Sequence, residues 1–148
     1  MDRKLTTLYW LKFNAIEPTL CHGCFDLLHL GHVRHFQAAK KLGGLLVVTI
    51  TPDRFITKPG RPAFGERLRA EMVAALECVD YVAINEWPDA VETIRVLRPA
   101  IYAKGIEYQD NMTPALLAEN EAVESVGGRL VFCGDDLCHS TELLKLAT

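Results

Sequence analysis

Apolar runs and amphipathic stretches alternate along this chain. Thr19–Cys21 lies in a short apolar segment that ends at Gly23 and reads as a first strand. His32–Leu42 has helical spacing, with Val33, Phe36, Ala39 and Leu42 near one face, and Gly43-Gly44 ends it. Leu45–Thr51 is a continuous apolar, β-branched run, the pattern of a strand buried on both faces of a parallel sheet. Thr57–Pro62 holds two prolines and a glycine and reads as a loop. Gly65–Cys78 is predicted helical, with Leu68, Met72, Ala75 and Leu76 inward. Tyr81–Ile84 reads as a strand, Ala90–Leu97 as a helix closed by Pro99, and Ala100–Ala103 as a strand. Pro114–Val126 follows as a helix ended by Gly127-Gly128, and Leu130–Cys133 as a strand. Ser140–Leu146 is predicted as a short helix with Ser140 at its N-cap.

Strand and helix thus alternate about five times. That order implies an α/β fold, a Rossmann-like doubly wound parallel sheet of about five strands with helices on both faces. Residues 1–17 fit no element and read as an N-terminal segment in which Tyr9, Trp10 and Phe13 dock; residues 18–148 form the domain. Ligands in such folds bind beyond the carboxyl ends of the strands, where strand order reverses. Attention therefore falls on residues 22–32.

Composition narrows the classes. The chain has 148 residues, 49% hydrophobic and 24% charged, with net charge −3. It is long enough for one domain with a real core. It carries no apolar run of the ~18 residues that cross a bilayer, and its balance of charge argues against nucleic acid as a partner. The first residues, MDRKLTTLYWLKFN, lack the apolar core of a signal peptide. The five cysteines, at 21, 24, 78, 133 and 138, accordingly read as reduced thiols of a cytoplasmic protein. Cys21 and Cys24 form a C-x-x-C, and His22, His29, His32 and His35 cluster with it. Zinc competes as a reading, but no H-E-x-x-H or matching second cysteine pair completes a site.

The loop Gly23-Cys24-Phe25-Asp26-Leu27-Leu28-His29-Leu30-Gly31-His32 follows a strand and opens a helix. Two histidines at i and i+3 can address one spot, Gly31 lets a ligand approach the backbone, and the helix opening offers unpaired N–H groups. Together these make an anion site suited to phosphate. Neither a G-x-G-x-x-G nor a Walker A sequence is present.

This loop resembles the H-x-G-H signature of the cytidylyltransferase-like nucleotidyltransferases. Arg69 followed by Val79-Asp80 resembles that family's arginine-helix-V-D pattern. Lys104-Gly105 with Tyr108 resembles the K-G-x-x-Y of heptose-1-phosphate adenylyltransferase domains, and Ser140-Thr141 the S-T pair of an I-S-T-T motif. The resemblance runs from about residue 19 to 145. The loop TKPGRP is one glycine shorter than the K-G-P-G-R-P of relatives, and Gly134-Asp135-Asp136 replaces the R-T-x-G of glycerol-3-phosphate cytidylyltransferases.

The resemblance implies transfer of a nucleoside monophosphate to a phosphate-bearing acceptor, with release of pyrophosphate. It implies catalytic roles for His29, His32 and Lys58. It places the nucleotide on Gly23, Cys24, Phe25, Gly31, Arg69, Lys104, Gly105, Ser140 and Thr141, with Asp26 as an outer helper. Mg2+ is expected on the triphosphate, held by phosphates and water rather than by a protein cage. The expected reaction is CMP transfer from CTP to a small phosphate- or phosphonate-bearing acceptor. The alternatives are adenylyl transfer from ATP to a sugar 1-phosphate such as a heptose 1-phosphate, and a nucleotide-binding module of a larger bifunctional enzyme. A homodimer or a fusion to another biosynthetic domain fits each of them.

Overall fold

The computed structural model describes residues 3–14 and 16–134. The chain runs through β1 (Leu5–Thr6), α1 (Leu8–Phe13), β2 (Thr19–Gly23), α2 (Leu30–Lys41), β3 (Leu46–Ile50), α3 (Glu66–Ala74), β4 (Tyr81–Ile84), α4 (Val91–Leu97), β5 (Ile101–Gly105), α5 (Pro114–Ser125) and β6 (Arg129–Cys133). Six parallel strands form one sheet in the order β1-β4-β3-β2-β5-β6. The doubly wound α/β architecture is thus present, with six strands where the alternation predicts about five. The predicted helix at 140–146 lies outside the described residues.

The extra strand lies in the N-terminal segment, which the sequence pattern leaves without elements. Two residues are too few to show a period of two, yet Leu5 and Thr6 pair with Val82 and Ala83 at the sheet edge. The short helix α1 then docks by Leu8 and Leu11, which are buried, while Tyr9 and Phe13 are 76% exposed. Positions 8 and 11 share the inner face of a helix, and 9 and 13 share the outer one. The leucines, not the aromatic pair, therefore anchor this segment.

Each central strand is apolar on both sides because each side meets helices. On one face Cys21, Val48, Ile50 and Val82 pack against Phe36 and Ala39 of α2 and Ala70 and Val73 of α3. On the other, Leu20, Val47, Ala83 and Tyr102 pack against α1, Ile94 and Leu97 of α4, and Leu116 and Val123 of α5. The turn before β6 requires glycine: a Cβ on Gly128 would sit 2.2 Å from the Pro99 carbonyl oxygen.

Strand order reverses at β2, which pairs with β3 on one side and β5 on the other. The carboxyl ends of these strands put His22, Gly23, Lys104 and Gly105 at one crevice. The same end of β6 adds Cys133.

Candidate active site

A cleft of about 600 Å3 opens over that crevice. Its floor comes from the ends of β2 and β5 and one wall from the start of α2. The opposite wall comes from the segment after β3, with Phe55, Ile56, Thr57, Lys58 and Arg61.

Helix α2 begins at Leu30, two residues earlier than its spacing suggests, so His29 is its N-cap and His32 lies inside the first turn. The His29 Nδ1 accepts from the Gly31 N–H at 3.0 Å, and the His32 Nδ1 accepts from the His29 N–H at 3.3 Å. The two rings stack with centroids 3.8 Å apart. The pair is thus a capping box built from imidazoles. Since Nδ1 of each ring accepts, each neutral ring carries its proton on Nε2. Burial lowers the His32 pKa to about 4, helped by His29 and His35. His32 therefore stays a neutral donor at physiological pH.

The turn before the histidines is held against backbone strain. Phe25 and Leu27 have φ of +48° and +61°, a region that costs a non-glycine residue of order 1–3 kcal/mol. Phe25 is fixed by its ring, 4.9 Å from Phe36 and at right angles to His32. That ring lies over Gly23, where a Cβ would be only 3.0 Å from the Phe25 Cζ.

Arg69 is fully buried and does not line the cleft. Its guanidinium donates to the Cys24 carbonyl at 2.7 Å, to Asp53 Oδ1 at 2.7 Å and to the Phe64 carbonyl at 2.9 Å. The sequence expectation of a nucleotide contact is replaced by a structural one. Position 69 lies on the inward stripe of α3 with Ala70 and Val73, so the side chain reaches the loops from below. Asp26 is likewise an organiser: it accepts from Arg61 Nη1 at 2.9 Å and from the N–H groups of Ala63 and Phe64 at 2.8 and 3.2 Å. Burial pushes its carboxyl up, but these donors outweigh it and hold the pKa low.

On the β5 side, the Lys104 ammonium lies 3.4 Å from the His22 carbonyl oxygen and 4.9 Å from the centre of the Tyr108 ring. His22 is buried between Thr49 and Thr51, its Nδ1 2.8 Å from the Thr49 hydroxyl. Burial, and then Lys104, lowers its pKa to about 3. His35 bridges Cys21 and Cys133, with its Nε2 3.5 Å from the Cys21 sulfur. Burial pushes the Cys133 thiol up to about 11 and the Cys21 thiol higher still, which leaves both poor nucleophiles. Among the described residues no group of three or more His, Cys, Asp or Glu is placed to hold a metal ion.

Of the residues read from sequence, Gly23, Cys24, Phe25, His29, Gly31, His32, Lys58, Lys104 and Gly105 line one cleft. Ser140 and Thr141 lie outside the described residues. His22, read in the sequence only as part of a histidine cluster that competes for zinc, also lines the cleft, and so do Arg61 and Glu107, which the sequence reading does not single out. The arginine of the G-R-P loop is the available signal for the first of these two, and nearness in sequence to Lys104 for the second.

Residues 20–134 match the family model described as Cytidylyltransferase-like. A curated relative, the bifunctional protein HldE of Syntrophotalea carbinolica, is 44% identical over 112 residues, 74% of this chain and 22% of that protein. The HldE protein of Pelobacter propionicus is 46% identical over the same shares. The chain thus spans under a quarter of the length of these relatives. A lipopolysaccharide core biosynthesis protein from Thermoplasma volcanium superposes with a TM-score of 0.64 at 28% identity, over 80% of this chain and 98% of that one. Pantothenate synthetase from Thermus thermophilus shares the fold, with a TM-score of 0.57 at 16% identity over 88% and 61%.

Proposed function

This chain belongs to the cytidylyltransferase-like family of nucleotidyltransferases, and on that premise we propose that it transfers AMP from ATP to a sugar 1-phosphate, releasing pyrophosphate. The expectation of CTP gives way here. The relatives reported above are bifunctional HldE proteins, and the Lys104-Gly105…Tyr108 motif resembles that of heptose-1-phosphate adenylyltransferase domains.

The observation that carries the reaction class is the histidine pair. An oxygen of the acceptor phosphate attacks the α-phosphorus while the bond to the pyrophosphate oxygen breaks. The attacking oxygen is already anionic, so no protein base is needed. What the reaction needs is donors aimed at charge that grows on the departing phosphates. His29 and His32 supply two Nε2–H groups whose rings are fixed by backbone N–H groups before any ligand arrives. A neutral His32 binds the polyanion through a hydrogen bond without giving up its proton. Lys58, exposed on the opposite wall, reaches over the phosphates, with Arg61 beside it.

The carboxylates fit a mobile Mg2+ rather than a resident one. Asp26 is committed to the 61–64 backbone and Arg61, which leaves Glu107 as the other cleft carboxylate. The ion would enter with the triphosphate and share its negative charge.

The test is a pyrophosphate-release screen crossing ATP and CTP with heptose 1-phosphates, hexose 1-phosphates and glycerol 3-phosphate. Release with ATP and a sugar 1-phosphate is expected. Release confined to CTP and glycerol 3-phosphate would overturn the reading.

A further inference from the structure

A second, smaller cavity of about 210 Å3 opens on the other side of Lys104. It lies between the start of α4 and the first turn of α5 and is continuous with the main cleft through His22, Lys104 and Tyr108, which line both. Its remaining lining is Pro88, Asp89, Thr113, Ala115, Leu116 and Glu119. Nothing in the phosphate chemistry above uses it.

Two observations indicate that this cavity takes a ligand. First, Glu119 is a carboxylate only 4% exposed, and it lines the cavity. Its Oε2 accepts from the Ala90 N–H at 2.8 Å, and Lys104 is the nearby positive charge. Second, the fully buried Tyr102 hydroxyl lies beside the Glu119 carboxylate, short of good hydrogen-bond geometry. A bound hydroxyl that draws on Glu119 brings the carboxylate and the phenol into one network.

The chemistry of the lining selects the ligand. Asp89 and Glu119 accept hydrogen bonds and repel anions. Thr113 both donates and accepts, Lys104 donates, and the Tyr108 ring offers an apolar face. A phosphate is excluded by the two carboxylates, and a nucleoside by the volume, which is below the ~300 Å3 where drug-sized sites begin. A polyhydroxylated ring satisfies all of it: hydroxyls on the carboxylates and threonine, C–H face on Tyr108. We propose that this cavity holds the sugar ring of the acceptor, with its phosphate passing Lys104 into the main cleft, and that Glu119 and Asp89 are its specificity-determining residues. Tyr102 acts as a positioning residue for Glu119.

This assignment rests on the reading of the acceptor as a sugar 1-phosphate. The test uses the full chain, with Glu119→Gln, Asp89→Asn and Tyr102→Phe. The amide of the first variant still accepts from the Ala90 N–H, and that of the second from the Val91 N–H that Asp89 now caps. Acceptor and ATP constants are measured with mannose 1-phosphate, glucose 1-phosphate and a heptose 1-phosphate. Saturation-transfer NMR on the sugar-ring protons is recorded beside a non-hydrolysable ATP analogue.

Glu119→Gln and Asp89→Asn are expected to raise the acceptor KM, or weaken its binding, roughly tenfold. The ATP KM should stay within about twofold. Tyr102→Phe should fold as stably as the parent and still raise the acceptor KM, which a purely structural tyrosine would not do. If sugar 1-phosphates turn over and all three variants keep the parent acceptor KM, the site is overturned while the proposed function stands. If the parent protein neither binds nor uses any sugar phosphate, and consumes glycerol 3-phosphate instead, both fall.

Discussion

The two walls of the cleft are held in opposite ways. In the wall formed by residues 23–32, both imidazoles are oriented by backbone N–H groups, and Phe25 is locked in a strained turn. The wall formed by residues 53–64 has Lys58 and Arg61 exposed; Asp26 and Arg69 tie it to the first wall, while Glu66 accepts from the Asp53 N–H and Arg54 donates to the Glu86 carbonyl. Asp26 lies within the first wall, and Arg69 holds its Cys24 carbonyl. The first wall has a fixed geometry, and the proposed reaction gives the second the task of approach and release. A transferring phosphoryl group needs both, because donors that move would lose the benefit of being placed in advance.

The difference can be broken most severely at His32. Replacing it by alanine removes one placed donor and the acceptor of the His29 N–H. Turnover should fall by about 10²–10³, with a much smaller change in nucleotide affinity. Near-normal kcat in single-turnover assays would show that the rigid wall does not act on the transition state.

Arg69→Met removes the pin common to both walls. It leaves the Cys24 and Phe64 carbonyls without their donor, so unfolding in urea should show a loss of about 3 kcal/mol. A loss of affinity with unchanged stability would put the guanidinium on the ligand instead. Asp26→Asn weakens only the mobile wall. It should lower kcat about tenfold and speed proteolytic cleavage within residues 57–62, with the histidine wall and nucleotide affinity intact. Equal cleavage in the two proteins would show that Asp26 does not restrain the loop.

pH provides a further check on the buried histidines. Folded His22 and His32 have pKa values lowered to about 3 and about 4, against 6.5 when unfolded. Above pH 6.5 neither state binds a proton at these sites, and the full stability is present. As pH falls below 6.5, the unfolded chain is protonated first, so stability is lost down to about pH 4 for His32 and about pH 3 for His22. For the buried His22 the slope is about 1.4 kcal/mol per pH unit. Thermal melts across this window check it, and kcat/KM should show no acid limb from His32 near pH 6.5.

Much of this was legible in the sequence, for reasons that differ by element. Strands β2, β3, β5 and β6 announce themselves as largely apolar runs bounded by glycine or proline, β4 as the apolar run Tyr81–Ile84, and the H-x-G-H loop lies where strand order predicts. What could not be read depends on distant partners. Leu5 and Thr6 become a strand only because Val82 and Ala83 lie beside them. Arg69 looks like a site residue by motif, and only its three-way contact with segments 5, 16 and 45 residues away reveals a buried pin. Asp26 sits inside the signature loop, but its partners at 61, 63 and 64 come from another wall. The proposal of ATP over CTP rests on no single residue but on similarity to the HldE proteins over the matched 112 residues.

The strand order also sets how the molecule assembles. His22 meets Thr49 across 27 residues of chain but Lys104 across 82. Closing the longer loop costs roughly 1 kcal/mol more in chain entropy, and local pairings form sooner. The β2-β3-β4 half therefore closes first and β5 with β6 docks onto it late, so the cleft is the seam between early and late halves. The same seam is the easiest to reopen, without melting the rest. A nucleotide lying across it acts as a staple, raising the free energy of undocking β5 and β6 by RT ln(1 + [L]/Kd). Substrate occupancy should thus be readable as slower amide exchange along the whole of β5 and β6.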